Sequence, residues 1–183
     1  IKDGNNLIYI GYHVENGSGI ENIFKSLKKL PDDVNFILLG SNWSVEYFNN
    51  LVKKLDIIER VLFIDPLPIN YLPIVASYAK IGICPTIEDG SLSSYLSLPN
   101  KIFDYIKSNL PIIASDLPEH TNLIESYNNG RIFFENTNKK DTEISQSFLE
   151  IIENYNHFKK NAVECAKLHR TENEYQKLNQ IFN

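Results

Sequence analysis

Apolar runs of strand length alternate along the chain with amphipathic stretches of helix length. Residues 7–11 (LIYIG) read as a strand, and residues 19–30 as a helix with Ile20, Ile23, Phe24 and Leu27 on one stripe. Ser18 is placed to cap that helix, with Glu21 completing a capping box. Residues 35–40 (NFILLG) form a second strand, and residues 44–55 a second helix that buries Val45, Phe48, Leu51 and Val52. Residues 61–64 form a third strand, broken by Asp65-Pro66-Leu67-Pro68. A short helix over 71–77 and a strand over 81–84 follow, the latter ended by Pro85. Residues 86–98 are a serine-rich loop, and a helix then opens at Pro99 or Asn100 and runs to about Ser108. Asn109, tolerant of left-handed backbone, separates it from a fifth strand over 111–114. A helix over 120–127, a sixth strand over 131–134 and a helical remainder broken near Asn154 complete the pattern.

Strands that are apolar on both faces and separated by helices predict a parallel sheet covered on both sides. Right-handed crossovers make it a doubly wound, Rossmann-like α/β fold of about six strands. The expectation is one domain over residues 1–183, with the sheet region at 7–135 and the C-terminal helices at 138–183. Ligands of such folds lie beyond the carboxyl ends of the strands. That rule selects residues 11–18, 40–43, 65–68, 85–101 and 115–119 as the surface to watch.

Composition narrows the function. With 18 Lys+Arg against 23 Asp+Glu the net charge is -5, which argues against coating nucleic acid and leaves room for a small phosphate ligand. The two cysteines, Cys84 and Cys165, are far apart and predict neither a disulfide framework nor a zinc site, which fits a reducing compartment. No apolar run reaches membrane-span length, and no signal peptide is apparent. The absence of methionine and the polar lead-in at residues 1–6 are read as the mark of a fragment of a longer protein, with a processed N-terminus as the alternative.

The most informative stretch is residues 97–119, SLPNKIFDYIKSNLPIIASDLPE. A helix beginning at Pro99 would aim the amides of Asn100 and Lys101, with roughly half a positive charge of helix dipole, at the ligand surface. Lys101 adds a full charge, and together these form a diphosphate seat. Asp104, about one turn inside, can accept hydrogen bonds from two ribose hydroxyls. The same residues also read as an ordinary helix start with a solvated lysine and a dipole-complementing carboxylate.

This stretch resembles the donor-binding signature of GT-B glycosyltransferases, in particular glycosyltransferase family 4, in which a Pro-Asn-Lys-x-Phe-Glu-Tyr helix precedes Pro-Val-Ile-Ala-Ser-Asp-x-Pro-Glu. IYIG at 8–11, FILLG at 36–40, ERVLFIDPLP at 59–68 and IGICP at 81–85 extend the resemblance over roughly residues 7–135. It implies one half of a GT-B fold, the C-terminal domain that binds a UDP- or GDP-type sugar, with the N-terminal acceptor domain absent from this chain. It further implies hexosyl transfer to a carbohydrate or lipid-linked acceptor, retention of anomeric configuration, no cofactor and no metal. Polysaccharide biosynthesis in a bacterial cytoplasm, at the inner face of the membrane by peripheral attachment, is the setting it suggests. The fragment alone is then expected to be inactive.

Carried onto this sequence, the resemblance gives Lys101 the catalytic role of stabilising the departing nucleoside diphosphate. It places Asp104 on the ribose, Pro99, Asn100 and Lys101 on the diphosphate, and the backbone at Pro66 and Leu67 on the base. Gly11, Tyr12 and His13 border the phosphates, Gly40 ends the second strand beside them, and Ser97 joins Ser94 and Tyr95 as a candidate for the sugar. The sequence departs from the family in three places. Asp104 is one methylene shorter than the usual glutamate, Leu96 stands where many relatives carry a second glutamate, and the loop after the first strand offers His13 but no lysine. Two alternatives stay open: a nucleotide-sugar epimerase on the same fold, and a degenerate, non-catalytic binding module.

Other candidates carry less. Asn16-Gly17-Ser18-Gly19 lacks the spacing of a dinucleotide fingerprint or a P-loop. His13, His120, His157 and His169 have no metal-ligand spacing, with His157 and His169 expected at the surface and His120 expected as helix-start polarity. Glu88-Asp89 reads as a solvated turn, and Trp43 as a stacking aromatic or a lid over the second helix. Asp65 lacks the acidic pair after the first strand that a receiver domain would need for magnesium.

Overall fold

The computed structural model describes residues 4–13, 18–41, 45–87 and 90–169, and the side chains of Tyr12, His13, Ser41 and Val45 lie outside that description. Six strands form one parallel sheet: β1 (Leu7–His13), β2 (Phe36–Ser41), β3 (Val61–Ile64), β4 (Ile81–Cys84), β5 (Ile112–Ser115) and β6 (Gly130–Phe133). Their spatial order is β3-β2-β1-β4-β5-β6. The chain therefore winds outward in one direction from β1, returns, and winds outward in the other from β4. The place where the direction reverses, between β1 and β4, is the switch point at which such sheets bind ligands.

Period-two alternation decides what each face buries. Leu7, Tyr9, Phe36, Leu38, Ile81, Ile83 and Ile113 point to one side, where α1 (Ile20–Leu27), α2 (Val45–Lys54) and α7 (Lys140–Glu153) contribute Ile23, Phe24, Phe48, Val52, Ile144 and Phe148. Phe24 sits edge-on to Phe36, Phe48 and Phe63, with centroids 5.8, 5.7 and 6.4 Å away. Ile8, Ile10, Ile37, Leu39, Cys84, Ile112 and Ala114 point to the other side. There they meet α3 (Leu72–Ala76), α5 (Asn100–Lys107), α6 (Pro118–Tyr127) and α8 (Tyr155–Leu168) through Leu72, Ile102, Tyr105, Ile106, Ile124 and Cys165. The central strands are buried on both faces, while the edge strands β3 and β6 are partly open, with Leu62 exposed and Arg131 half-buried.

Several local expectations change. Ser18 does not cap α1: the helix starts at Gly19 in left-handed backbone (φ 85) with no side-chain cap, and the Ser18 hydroxyl is buried without a hydrogen-bond partner. The serine-rich segment is not all loop, because Leu92–Tyr95 makes one helical turn, α4, with the Ser91 hydroxyl accepting from the Ser94 amide at 3.0 Å. The short helix after β3 divides into a 3-10 turn at Ile69–Tyr71 and α3. Of the two starts expected for α5, the helix takes Asn100, with Pro99 extended before it. Helix α6 starts two residues early, at Pro118, and Asn154 separates α7 from α8 where the break was expected. Trp43, Glu88-Asp89 and the stretch 14–17 lie outside the described residues.

Candidate functional site

A cavity of about 410 Å³ opens among the carboxyl ends of the strands. Ile10 and Gly11 of β1, Leu39 and Gly40 of β2, and Pro66, Leu67, Ile69 and Leu72 after β3 form its apolar walls, and α5 closes it with Pro99, Asn100, Lys101, Phe103, Asp104 and Lys107. Next to it β1 bends, its pairing with β2 slipping between Gly11 and His13. A slip of this kind inserts an extra residue and redirects the chain, a device common beside functional sites.

Helix α5 has two faces because of its spacing. Ile102, Tyr105 and Ile106 are buried against the sheet, and Lys101, Asp104 and Lys107, three residues apart, turn to the cavity. Its start carries no side-chain cap and no carboxylate in the first turn, so the positive end of the helix dipole faces the cavity without either. The Lys101 ammonium lies 4.9 Å from the centroid of the Tyr9 ring, within cation–π range. Among the described residues no carboxylate forms an ion pair with Lys101. Burial pushes the Asp104 carboxyl above the ordinary aspartate range, and Lys107 one turn on pulls it partly back.

The structure thus gathers Gly11, Gly40, Pro66, Leu67, Pro99, Asn100, Lys101 and Asp104 around one cavity. Ser97 is half-buried outside its lining, as is Ser94, whose hydroxyl donates to the Ile87 carbonyl at 3.3 Å, and Tyr95 is exposed outside it. Tyr12 and His13 continue β1, but their side chains are outside the description. Sequence reasoning missed the apolar wall of Ile10, Leu39, Ile69 and Leu72, and it missed Lys107. The spacing from Lys101 through Asp104 to Lys107 was a signal that could have found the last.

Histidine expectations shift too. His120 is fully buried, its Nδ1 3.1 Å from the Ser115 carbonyl, so Nδ1–H donates and Nε2 is left as an acceptor with no partner. Burial, with Lys101 adding to it, pushes the imidazole down to about 4. His169 is half-buried, edge-on to Tyr127, while His157 is exposed as expected. Both cysteines are free and buried. Among the described residues no group of three His, Cys, Asp or Glu could hold a metal ion, and no helix is long and apolar enough to cross a membrane.

The family model "Glycosyl transferases group 1" matches residues 1–164. No curated protein sequence matches the chain. Among solved structures, the chain resembles sucrose-phosphate synthase from Thermosynechococcus elongatus, with a TM-score of 0.78 at 17% identity over 98% of this chain and 45% of that one. It resembles HepE from Anabaena in complex with UDP-glucose, with a TM-score of 0.75 at 14% identity over 91% of this chain and 44% of that one. It also resembles the C-terminal domain of a glycosyl transferase group 1 family protein, LpcC, from Francisella tularensis, with a TM-score of 0.66 at 17% identity over 90% of this chain and 83% of that one. The chain spans less than half the length of the first two.

Proposed function

The chain belongs to the glycosyl transferases group 1 family, and from that premise we propose that its cavity holds a nucleoside-diphosphate sugar of the UDP or GDP type for transfer to a carbohydrate or lipid-linked acceptor. One observation carries the reading: an uncapped helix start, a lysine with no ion pair among the described residues and a carboxylate one turn further in line the same cavity, beside an apolar wall. The diphosphate sits on the amides of Asn100 and Lys101 and the Lys101 ammonium. Asp104 accepts from the ribose hydroxyls, and the base lies along Leu39, Pro66 and Leu67.

In the reaction the bond from the anomeric carbon to the diphosphate oxygen breaks, a bond to the acceptor oxygen forms, and the acceptor hydroxyl gives up its proton to the departing diphosphate. Negative charge grows on the departing diphosphate, where the helix start and Lys101 stabilise it more than in the ground state. This is electrostatic catalysis without a metal, and the resemblance implies retention at the anomeric carbon. Acceptor-side groups would come from an N-terminal domain of the kind that GT-B relatives carry. A cytoplasmic protein attached peripherally to the inner membrane face suits a lipid-linked acceptor.

A non-catalytic binding module is the second reading, favoured by Leu96, which is 49% exposed where many relatives place a glutamate. It shares the nucleotide site and differs only in lacking transfer. Calorimetric titration of the chain with UDP, GDP and ADP tests what both readings require. Saturable binding of at least one below millimolar concentration is expected, and no binding of any at millimolar levels overturns the assignment of the site.

A further inference from the structure

Strands β1 and β4 pair only at Leu7↔Ile81 and Ile8↔Gly82. Continued in that register, the next bond would run from the Ile10 amide to the Ile83 carbonyl. That bond is not made directly. The Ile10 amide donates to the Tyr105 hydroxyl at 3.0 Å, and the hydroxyl donates to the Ile83 carbonyl at 2.9 Å. One oxygen is thus spliced into the ladder where the sheet must part. Pro85, having no amide hydrogen, cannot make the bond beyond. The Tyr105 ring is fully buried, and it reaches this position because residue 82 is glycine: a Cβ there would overlap the ring. The spliced oxygen belongs to α5, on the residue next to Asp104 and one turn after Lys101, and Ile10 on the other side of the split lines the cavity with Gly11.

We propose that Tyr105 is a positioning residue for the nucleotide site: its hydroxyl holds β1 and β4 apart at the switch point and fixes the start of α5 against Gly11. The inference rests on the donor-binding reading for its effect on affinity, but not for its effect on the ligand-free protein. A hydroxyl between an amide and a carbonyl keeps both satisfied while spacing the strands by one atom, which neither a direct bond nor an apolar ring tip does. Removing it lets the ladder close on itself, so the fold is kept while the geometry at Gly11 and the helix start is not.

Tyr105→Phe, which preserves the buried ring, is the test. UDP or GDP, whichever the wild-type chain binds, is expected to bind this variant about tenfold more weakly, the scale of one lost buried hydrogen-bond link, while the melting temperature falls by no more than a few degrees. In the ligand-free variant the amide resonances of Gly11, Asn100 and Lys101 should move. A purely structural tyrosine would lower the melting temperature and leave affinity and those resonances unchanged, and that result overturns the proposal. If the variant fails to fold, the wild-type chain decides: the Ile10 amide should be strongly protected from hydrogen exchange, and rapid exchange there refutes the bridge. Wild-type protein that binds no nucleotide, with the Tyr105→Phe resonances shifted as expected, would sink the donor reading and leave the positioning role standing.

Discussion

Asp104 is held in a condition that favours function over stability. Burial raises its carboxyl above the usual range, so folding disfavours the ionised form, the form that the proposed ribose contacts need. Because the folded state binds that proton more tightly than the unfolded chain, the ionised group detracts from stability at neutral pH, and the penalty fades as pH falls through the raised value. Lys107 limits the penalty without making an ion pair with it among the described residues. Asp104→Asn is therefore expected to leave the melting temperature unchanged or raise it slightly, and to weaken UDP or GDP binding by about tenfold or more through loss of charge-assisted contacts. In the wild type, affinity should fall on acidification, at a higher pH than an ordinary aspartate would dictate. Calorimetry on both proteins over a series of decreasing pH checks this, and a variant with lower stability and full affinity would place the carboxylate in the scaffold instead.

Elements were legible where one period of apolar positions decided them. Strands β3 and β4 lie where expected, and α5 ends at Lys107 with Ser108 as its cap and Asn109 in left-handed backbone (φ 55), the Asn109 carbonyl taken by the Lys159 ammonium at 2.7 Å. The start of α1 was misread because Ser18 and Glu21 have the spacing of a capping box, and spacing carries no information about what packs there. Gly19 has positive φ, and a Cβ on it would lie 2.7 Å from the Pro85 carbonyl oxygen, so the turn after β1 is pressed against the end of β4 across the switch point. That contact, distant in sequence, selects a left-handed glycine where a helix capped by Ser18 would have needed its first helical residue. Gly19→Ala is expected to cost about 2 kcal/mol, about 1 for the left-handed backbone and the rest for the forced contact. Denaturant melts measure it, and a cost under about 0.5 kcal/mol would mean that the turn relaxes freely.

At the scale of the molecule, alternation of strands and helices was enough to foresee a parallel, doubly covered sheet, and the ends of its strands foretold half of the residues that line the cavity. What alternation cannot express is how two strands part, because the parting depends on one hydroxyl reaching from α5 into the ladder between β1 and β4. Charge is another property that the whole and the site do not share. The chain carries -5 overall, yet the cavity is proposed to hold an anion. At roughly 20 Å in water, five net charges repel one unit of ligand charge by about 1 kcal/mol, and a Debye length of about 10 Å at 0.1 M salt cuts this to little over a tenth. At about 4 Å and an effective dielectric of about 20, Lys101 attracts the same charge by about 4 kcal/mol before desolvation. The local term wins, so added salt should weaken binding instead of relieving repulsion. Between 0.1 M and 1 M sodium chloride, UDP affinity is expected to fall roughly fivefold while the weaker binding of uridine stays level. UDP binding that strengthens with salt would mean that the net charge governs access, and that Lys101 does not face the diphosphate.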